Sequence, residues 1–246
     1  MMKVLTAALL MTGAMAAHAD GSLFTPFHAD YDLEREGIGS AHSVFTLEQG
    51  ADGSYSYKSV MHATGIAAMF FSDVITETST FTIENGRPKA KTYSYSETGK
   101  HPSSQLVTFD WAQGYGITEE DGRSRKKKLE DGLCDVQLLQ LQLAADVAAD
   151  KLADSYRTLN DGEVAEYKAE KLPGTKVRAG DNTYDTRVVA LHDAAKGRTI
   201  TIWVSPALHY MPVQIKQEQT GKKAVTLTLE GISFGSAAAA PSKSGQ

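Results

Sequence analysis

Cysteine is nearly absent from the sequence, which has one, Cys134, among its 246 residues. A single thiol excludes an intrachain disulfide, so burial of apolar side chains has to stabilise the fold. We expect Cys134 to be a small core residue. The seven histidines include no His-x-His pair and no His-Glu-x-x-His motif, and no Gly-rich phosphate loop is present. We therefore expect no metal, no cofactor and no enzymatic activity.

Positive charge is also scarce, with 25 basic residues against 30 acidic ones and a net charge of −5. General nucleic-acid binding calls for a net basic surface, so no nucleic-acid partner is predicted. Long apolar runs are missing as well. The run from Val4 to Met15 is shorter than the roughly 20 residues that span a bilayer as a helix. We predict no integral membrane span.

That run lies between Lys3 and Ala17-His18-Ala19, an arrangement typical of a secretory signal peptide with a small-x-small cleavage site. We predict cleavage after Ala19, which leaves Asp20 at the N-terminus of the mature chain. Because Asp20 is not a cysteine, lipid attachment at that terminus is excluded. The protein is therefore predicted to be exported.

The rest of the chain alternates apolar and polar residues with the period of two that is typical of half-buried strands. Phe27, Ala29 and Tyr31 share one face of the first such run, and a Thr-rich run extends from Val74 to Ile83. Five Asx-Gly dipeptides, which favour tight hairpin turns, separate many runs: Asp52-Gly53, Asn85-Gly86, Asp121-Gly122, Asp131-Gly132 and Asp161-Gly162. We predict a mainly β fold with a single large curved antiparallel sheet, either a half-barrel or a barrel.

One segment, from Asp135 to Leu152, departs from the alternation. Asp135 is a good N-cap, and the residues that follow it are rich in Leu, Ala and Gln and contain neither Gly nor Pro. Its Leu-Gln-Leu-Gln-Leu stretch also allows a strand, but the Ala-rich stretch from Ala144 to Asp150 favours a helix. We predict one substantial helix here.

Five more extended runs follow the helix, at 164–172, 183–192, 198–205, 211–219 and 224–234. Trp203 lies in the third of these, and we expect it and Trp111 to belong to the core. Residues 236–246 offer little to bury, so a disordered tail is predicted. The predicted organisation is a signal peptide at 1–19, one antiparallel β domain at 20–235 and a tail at 236–246.

Short motifs in a fixed order along the chain carry a resemblance to known families. They include Phe27-x-Ala29-x-Tyr31, Gly37-x-Gly39, Asp52-Gly53-x-Tyr55, Glu77-x-Ser79-x-Phe81 and Phe109-Asp110-Trp111. Over residues 24–234 the chain resembles an uncharacterised family of proteobacterial periplasmic proteins, which carries a domain-of-unknown-function label. Its closing segment, with Trp203, Pro206 and Pro212, resembles more weakly the last hairpins of LolA-like lipoprotein carriers. The resemblance implies a periplasmic location and a curved sheet that is able to hold acyl chains, and it carries over no catalytic residues.

The stretch from Gly65 to Phe71 is apolar in succession where its neighbours alternate. We expect Ile66, Met69, Phe70 and Phe71 to form an adaptable apolar lip where a ligand enters the sheet. The alternative is that the stretch plugs one end of a barrel filled by its own side chains. The predicted function is a periplasmic binding or carrier protein for an acyl or lipid-like ligand. The alternative is a non-enzymatic envelope interaction or structural protein.

A basic run follows the acidic turn at 119–121 and contains Arg123, Arg125, Lys126, Lys127 and Lys128. Such a run is able to contact anionic headgroups, where each basic residue contributes up to about 1 kcal/mol. The alternative is a solvated hairpin edge that discourages pairing with other chains. The predicted partners are a lipid or acylated ligand and an outer-membrane or envelope protein.

Overall fold

The computed structural model describes residues 23–37, 39–69, 73–99 and 102–235, and the predictions for the signal peptide and the tail lie outside these ranges. The strands are β1 (Phe27–Arg35), β2 (Gly39–Gln49), β3 (Tyr55–Thr64), β4 (Val74–Glu84), β5 (Arg87–Glu97), β6 (Ser103–Asp110), β7 (Tyr115–Glu120), β8 (Arg123–Lys128), β9 (Ser155–Asn160), β10 (Glu163–Leu172), β11 (Lys176–Ala179), β12 (Asn182–Asp185), β13 (Arg187–Asp193), β14 (Arg198–Ser205), β15 (Met211–Gln219) and β16 (Val225–Phe234). The helix α1 is Leu138–Ala148, and 3₁₀ turns occupy Ala67–Met69 and Pro206–Leu208.

Fourteen of these strands form one antiparallel sheet, and β11 pairs with β12 in a separate hairpin. Strands β1 to β8 are neighbours in chain order, and β1 also pairs with β16, the last strand. From β16 the order returns through β15, β14, β13 and β10 to β9. The prediction of a mainly β fold with one large curved antiparallel sheet and one helix is confirmed.

Three of the Asx-Gly pairs form hairpin turns in which both residues have positive φ angles, between 48° and 75°. These pairs are Asn85-Gly86, Asp121-Gly122 and Asp161-Gly162. Positive φ at both central positions defines the type I′ turn, whose twist matches that of the flanking strands. The turns therefore set the register of the β4–β5, β7–β8 and β9–β10 hairpins.

Two predicted elements have different bounds in the structure. The helix begins at Leu138 rather than directly after the predicted N-cap, Asp135, whose carboxylate accepts the backbone N–H groups of Gln137 and Leu138. It ends before Asp150, which has a φ of 52°. The run at 183–192 is two strands, β12 and β13, separated at Thr186, whose backbone N–H and hydroxyl both donate to the carbonyl oxygen of Thr175.

The core lies between the concave face of the sheet and α1. Nine of the eleven residues of α1 are buried, so buried side chains project from the helix in nearly every direction. A helix that is apolar all round is expected to be enclosed, and each fully buried Leu stabilises the fold by about 1.5–3 kcal/mol. Cys134 is buried in this core, and Trp111 and Trp203 pack against it while remaining partly exposed.

The edge strands β8 and β9 do not pair with each other in the part of the chain that the structure describes. A segment before α1 lies along β9 instead, where the backbone N–H of Leu159 donates to the carbonyl oxygen of Cys134 at 2.9 Å. Lys127 Nζ lies 2.7 Å from Glu163 Oε2 and links β8 to β10. The sheet is thus half-barrel-like, with a seam that side chains and one short segment cross.

Candidate ligand-binding site

The N-terminal end of α1 is held inside the sheet by Asp135. Its Oδ1 accepts hydrogen bonds from the Ser79 hydroxyl at 2.6 Å and from the backbone N–H groups of Gln137 and Leu138 at 3.1 and 2.8 Å. Burial raises the pKa of Asp135 to about 6, and these hydrogen bonds to the charged form oppose the shift. Ser79 therefore ties the start of the helix to the inner face of β4.

The C-terminal end of α1 is held by a second polar group. Arg87 forms an ion pair with Asp146, with Nε 2.7 Å from Oδ1, and the Tyr156 hydroxyl donates to Oδ2 at 2.9 Å. Arg187 donates to the carbonyl oxygen of Val147 at 2.8 Å, where a cation complements the negative end of the helix. The helix is therefore fixed at both ends and occupies much of the concave face.

An apolar groove of about 350 Å³ lies on the concave face beyond the helix, at the end where β1 finishes and β2 begins. Cross-strand pairs such as Leu33–Ala41 and Met61–Ile75 line it, continuing the inward-facing rows that form the core. The residues around the groove are Leu33, Arg35, Gly39, Ser40, Ala41, Met61, His62, Ala63, Ala67, Asp73, Ile75, Glu97 and Val225. Most of the groove surface is apolar, as a site for an apolar ligand requires.

The predicted lip lies beside this groove. Ala67, in the 3₁₀ turn, lines the groove and packs against Gly39, where an added Cβ would lie 2.7 Å from the Ala67 Cβ. The side chains of Ile66 and Met69 are exposed, at 78% and 80% of their surface, and do not line the groove. The predicted lip residues Phe70 and Phe71 lie outside the described residues. The structure thus places the described part of the stretch at the groove and adds Ala67, which sequence reasoning missed.

The predicted basic run is β8, an edge strand of the sheet. Arg125 pairs with Glu120 across the β7–β8 hairpin, and Lys127 pairs with Glu163 across the seam. Lys126 stacks over the ring of Tyr115, with Nζ 4.2 Å from the ring centroid.

The other two residues of the run, Arg123 and Lys128, are exposed. Two of the five basic residues therefore take part in ion pairs, and contact of the run with an anionic surface remains a prediction.

A larger cavity, of about 870 Å³, lies at the C-terminal end of α1 and was not predicted from the sequence. Arg87, Asp146, Lys151, His209 and Tyr210 are among its lining residues. They come from segments far apart in the chain, so no local pattern indicates the cavity. Its lining mixes charged and apolar residues and is more polar than that of the apolar groove, so it is less suited to an acyl chain.

The outer face of β1 and its neighbours brings together polar side chains that are distant in sequence. His42 lies 3.2 Å from both Asp32 and Asp30, and hydrogen bonds to these two carboxylates raise its pKa. His28 lies 3.6 Å from Asp30 and opposite Ser233, the centre of a Gly-x-Ser-x-Gly sequence. Ser233 belongs to a regular strand, whereas a nucleophile on this motif needs a sharp strand-to-helix turn.

Among the residues that the structure describes, no three His, Cys, Asp or Glu side chains are arranged to hold a metal ion. In the same ranges, no helix has the length and apolar content needed to span a membrane.

The fold is similar to that of solved proteins. The β-barrel-like protein of domain of unknown function DUF1849 from Brucella abortus is 10% identical, covers 86% of this chain and 98% of its own, and has a TM-score of 0.56. At that identity the likeness shows the fold alone.

Two further solved structures align over most of their length. A protein described as an outer membrane lipoprotein-sorting domain, from Vibrio parahaemolyticus, covers 89% of this chain and 88% of its own at 10% identity, with a TM-score of 0.25. MucB, from its complex with MucA, covers 90% of this chain and 97% of its own at 12% identity, with a TM-score of 0.19. These superpositions are too loose to support an argument about function.

A family model described as "Protein of unknown function (DUF3108)" matches residues 29–229. None of the curated proteins matches the sequence. The resemblance to an uncharacterised family, noted from the order of short motifs, is confirmed.

Proposed function

The chain belongs to the DUF3108 family of proteins of unknown function, and we propose that it is a carrier for an apolar, acyl or lipid-like ligand. The proposed role is binding without catalysis, in the periplasm, after the signal peptide is cleaved at Ala19. It would serve maintenance of the cell envelope. The observation that carries the proposal is the apolar groove on the concave face, which α1 leaves unfilled.

The chemistry of the groove supports an acyl ligand. At about 350 Å³ it lies near the lower end of the volume range of ligand pockets, about 300–1,000 Å³, and is large enough for a segment of chain. Exposed Ile66 and Met69 stand next to it, and neighbouring exposed apolar side chains often mark a surface that meets an apolar partner. Methionine adapts its shape readily, as a lip for chains of varied length requires.

A second candidate function rests on a different observation. Because α1 is buried on nearly all sides, much of the concave face is filled by the protein's own side chains. This filling favours the alternative of an envelope interaction protein, with a self-filled half-barrel whose surface and edges meet a protein partner. The two candidates differ in whether the groove binds an apolar molecule.

Filling the groove tests the proposal. Ala63 points into the groove from β3, so Ala63→Trp should occupy it, whereas Lys58 lies on the opposite face of the same strand and Lys58→Trp serves as the control. We expect wild-type protein to bind a fluorescent fatty acid, Ala63→Trp to bind it at least about tenfold more weakly and Lys58→Trp to bind it normally. Melting temperatures of all three check that the fold survives. Absence of binding to the wild type would instead favour the second candidate.

A further inference from the structure

A second cavity, of about 340 Å³, lies on the same concave face as the apolar groove but has a polar lining. It sits beside the start of α1, between β4, β5 and β6 on one side and the β9–β10 turn on the other. Its lining includes Glu77, Tyr93, Tyr95, Gln105, Glu120 and Asp161, and no lining residue is basic.

The polar cavity adjoins the apolar groove. Ile75 and Glu97, which line the groove, are cross-strand partners, and the next inward-facing pair along the same strands is Glu77 and Tyr95 of the cavity. Two residues of strand separate the pairs by about 7 Å. The Tyr95 hydroxyl donates to Glu97 at 2.8 Å, so one hydrogen bond joins the two sites. An amphiphile of modest length is therefore able to reach both.

Three carboxylates line the cavity. Asp161 lies at the β9–β10 turn, Glu120 pairs with Arg125, and Glu77 projects inward among buried residues. The Tyr93 hydroxyl donates to Glu77 at 2.6 Å. Burial raises the pKa of Glu77, against the effect of this hydrogen bond, so a nearby cation would stabilise its charged form.

Gln105 adds an unused acceptor. Its side chain amide donates to Asp161 Oδ1 at 2.9 Å, which fixes the orientation of the amide because a carboxylate accepts only from the nitrogen. The residue is 6% exposed, and its Oε1 accepts no hydrogen bond from any group that the structure describes. A buried carbonyl oxygen without a donor is unfavourable, so a donor carried by a ligand would be stabilising here.

We infer that the polar cavity binds the primary ammonium headgroup of the carried ligand while its apolar chain lies in the groove. The inference rests on the proposed carrier function. An ammonium group brings a positive charge to a cavity lined by carboxylates and three N–H donors to acceptors such as Gln105 Oε1. A carboxylate or phosphate headgroup gains none of these contacts, so an amphiphile that carries one should bind more weakly, through its chain in the groove alone.

Amphiphiles that have the same chain length and different headgroups separate the contribution of the headgroup to binding from that of the chain. Dodecylamine, dodecanol and lauric acid are each used to displace N-phenyl-1-naphthylamine from the mature protein at neutral pH. We expect dodecylamine to displace the probe at a concentration about tenfold lower than dodecanol, and lauric acid to be the weakest. Glu77→Gln should remove most of the amine preference and leave dodecanol unchanged. Glu48→Gln, on the exposed outer face of β2, should change neither.

A chain-free amine tests the cavity without the groove. Butylammonium should shift the side-chain amide resonances of Gln105 in the wild type, and Glu77→Gln should weaken this effect. Equal displacement by dodecylamine and dodecanol would overturn the headgroup inference while leaving the carrier function standing. If butylammonium binds but no amphiphile displaces N-phenyl-1-naphthylamine, the result would support the ammonium site in the cavity and contradict the carrier function. Absence of both responses would overturn both.

Discussion

The buried carboxylate of Asp135 makes stability depend on pH in a way that one substitution isolates. Its pKa rises from 3.8 to about 6 on folding, mainly because burial disfavours the charge. The folded protein therefore binds this proton more tightly than the unfolded chain does. The resulting stabilisation is fully present below pH 3.8 and is lost as the pH rises through about 6.

The magnitude follows from the shift. A difference of about 2 pKa units, at about 1.4 kcal/mol each, gives about 3 kcal/mol over the whole titration. Most of this, about 2–3 kcal/mol, falls between pH 4 and pH 7. Asp135→Asn keeps an oxygen that accepts from Ser79 and from the helix N–H groups but does not titrate. As the pH rises from 4 to 7, the free energy of unfolding of the variant, relative to that of the wild type, should therefore increase by about 2–3 kcal/mol.

Urea unfolding followed by tryptophan fluorescence at several pH values between 4 and 7 measures the difference. Asp52→Asn is the control, because hydrogen bonds from Ser54 lower the pKa of exposed Asp52 below 3.8, so its effect on stability changes mainly below pH 3.8 and should stay nearly level between pH 4 and pH 7. Parallel pH profiles for the wild type and Asp135→Asn would refute the reasoning. So would a variant that loses stability relative to the wild type as the pH rises.

Three further predictions follow from packing and charge. Gly180 has a φ of 53°, and an added Cβ would meet a backbone carbonyl of β16. Gly180→Ala should therefore lower the free energy of unfolding by about 1–3 kcal/mol in urea titrations. An unchanged unfolding midpoint would contradict the close approach. Ile66→Ser combined with Met69→Ser should weaken fatty-acid uptake and leave the melting temperature nearly unchanged, whereas a clear loss of stability would show that they plug the barrel. Lys126→Glu combined with Lys128→Glu should reduce retention on phosphatidylglycerol vesicles at low salt, and equal retention would show that β8 is only a solvated edge.

Much of the fold is visible in local sequence. Alternation with period two identified most strands, and the Asx-Gly pairs identified hairpins, because both signals depend on neighbouring residues. The pairing of β1 with β16 has no local signal, because its register depends on packing between the two ends of the chain. The burial of α1 on nearly all sides could be predicted from the sequence, because a helix with apolar residues in nearly every direction has no face suited to water.

The candidate site was partly predictable. The described part of the predicted lip, up to Met69, lies beside the groove, but the sequence pattern did not show that Ala67 would line the groove while Ile66 and Met69 are exposed. Alternation also places Glu77 on the same face as buried Phe81, which is a signal for an inward carboxylate. The meeting of Gln105 with Asp161 was not predictable, because it depends on how the sheet curves to bring β6 to the β9–β10 turn.

Native mass spectrometry of the protein purified from the periplasm tests the carrier function most directly. The account predicts that the wild type retains a bound apolar molecule, seen as added mass, and that Ala63→Trp has lost it while Lys58→Trp has kept it. The account would be contradicted if the wild type carried no added mass and also failed to bind a fluorescent fatty acid. Equal retention of the bound molecule by both tryptophan variants would contradict it as well.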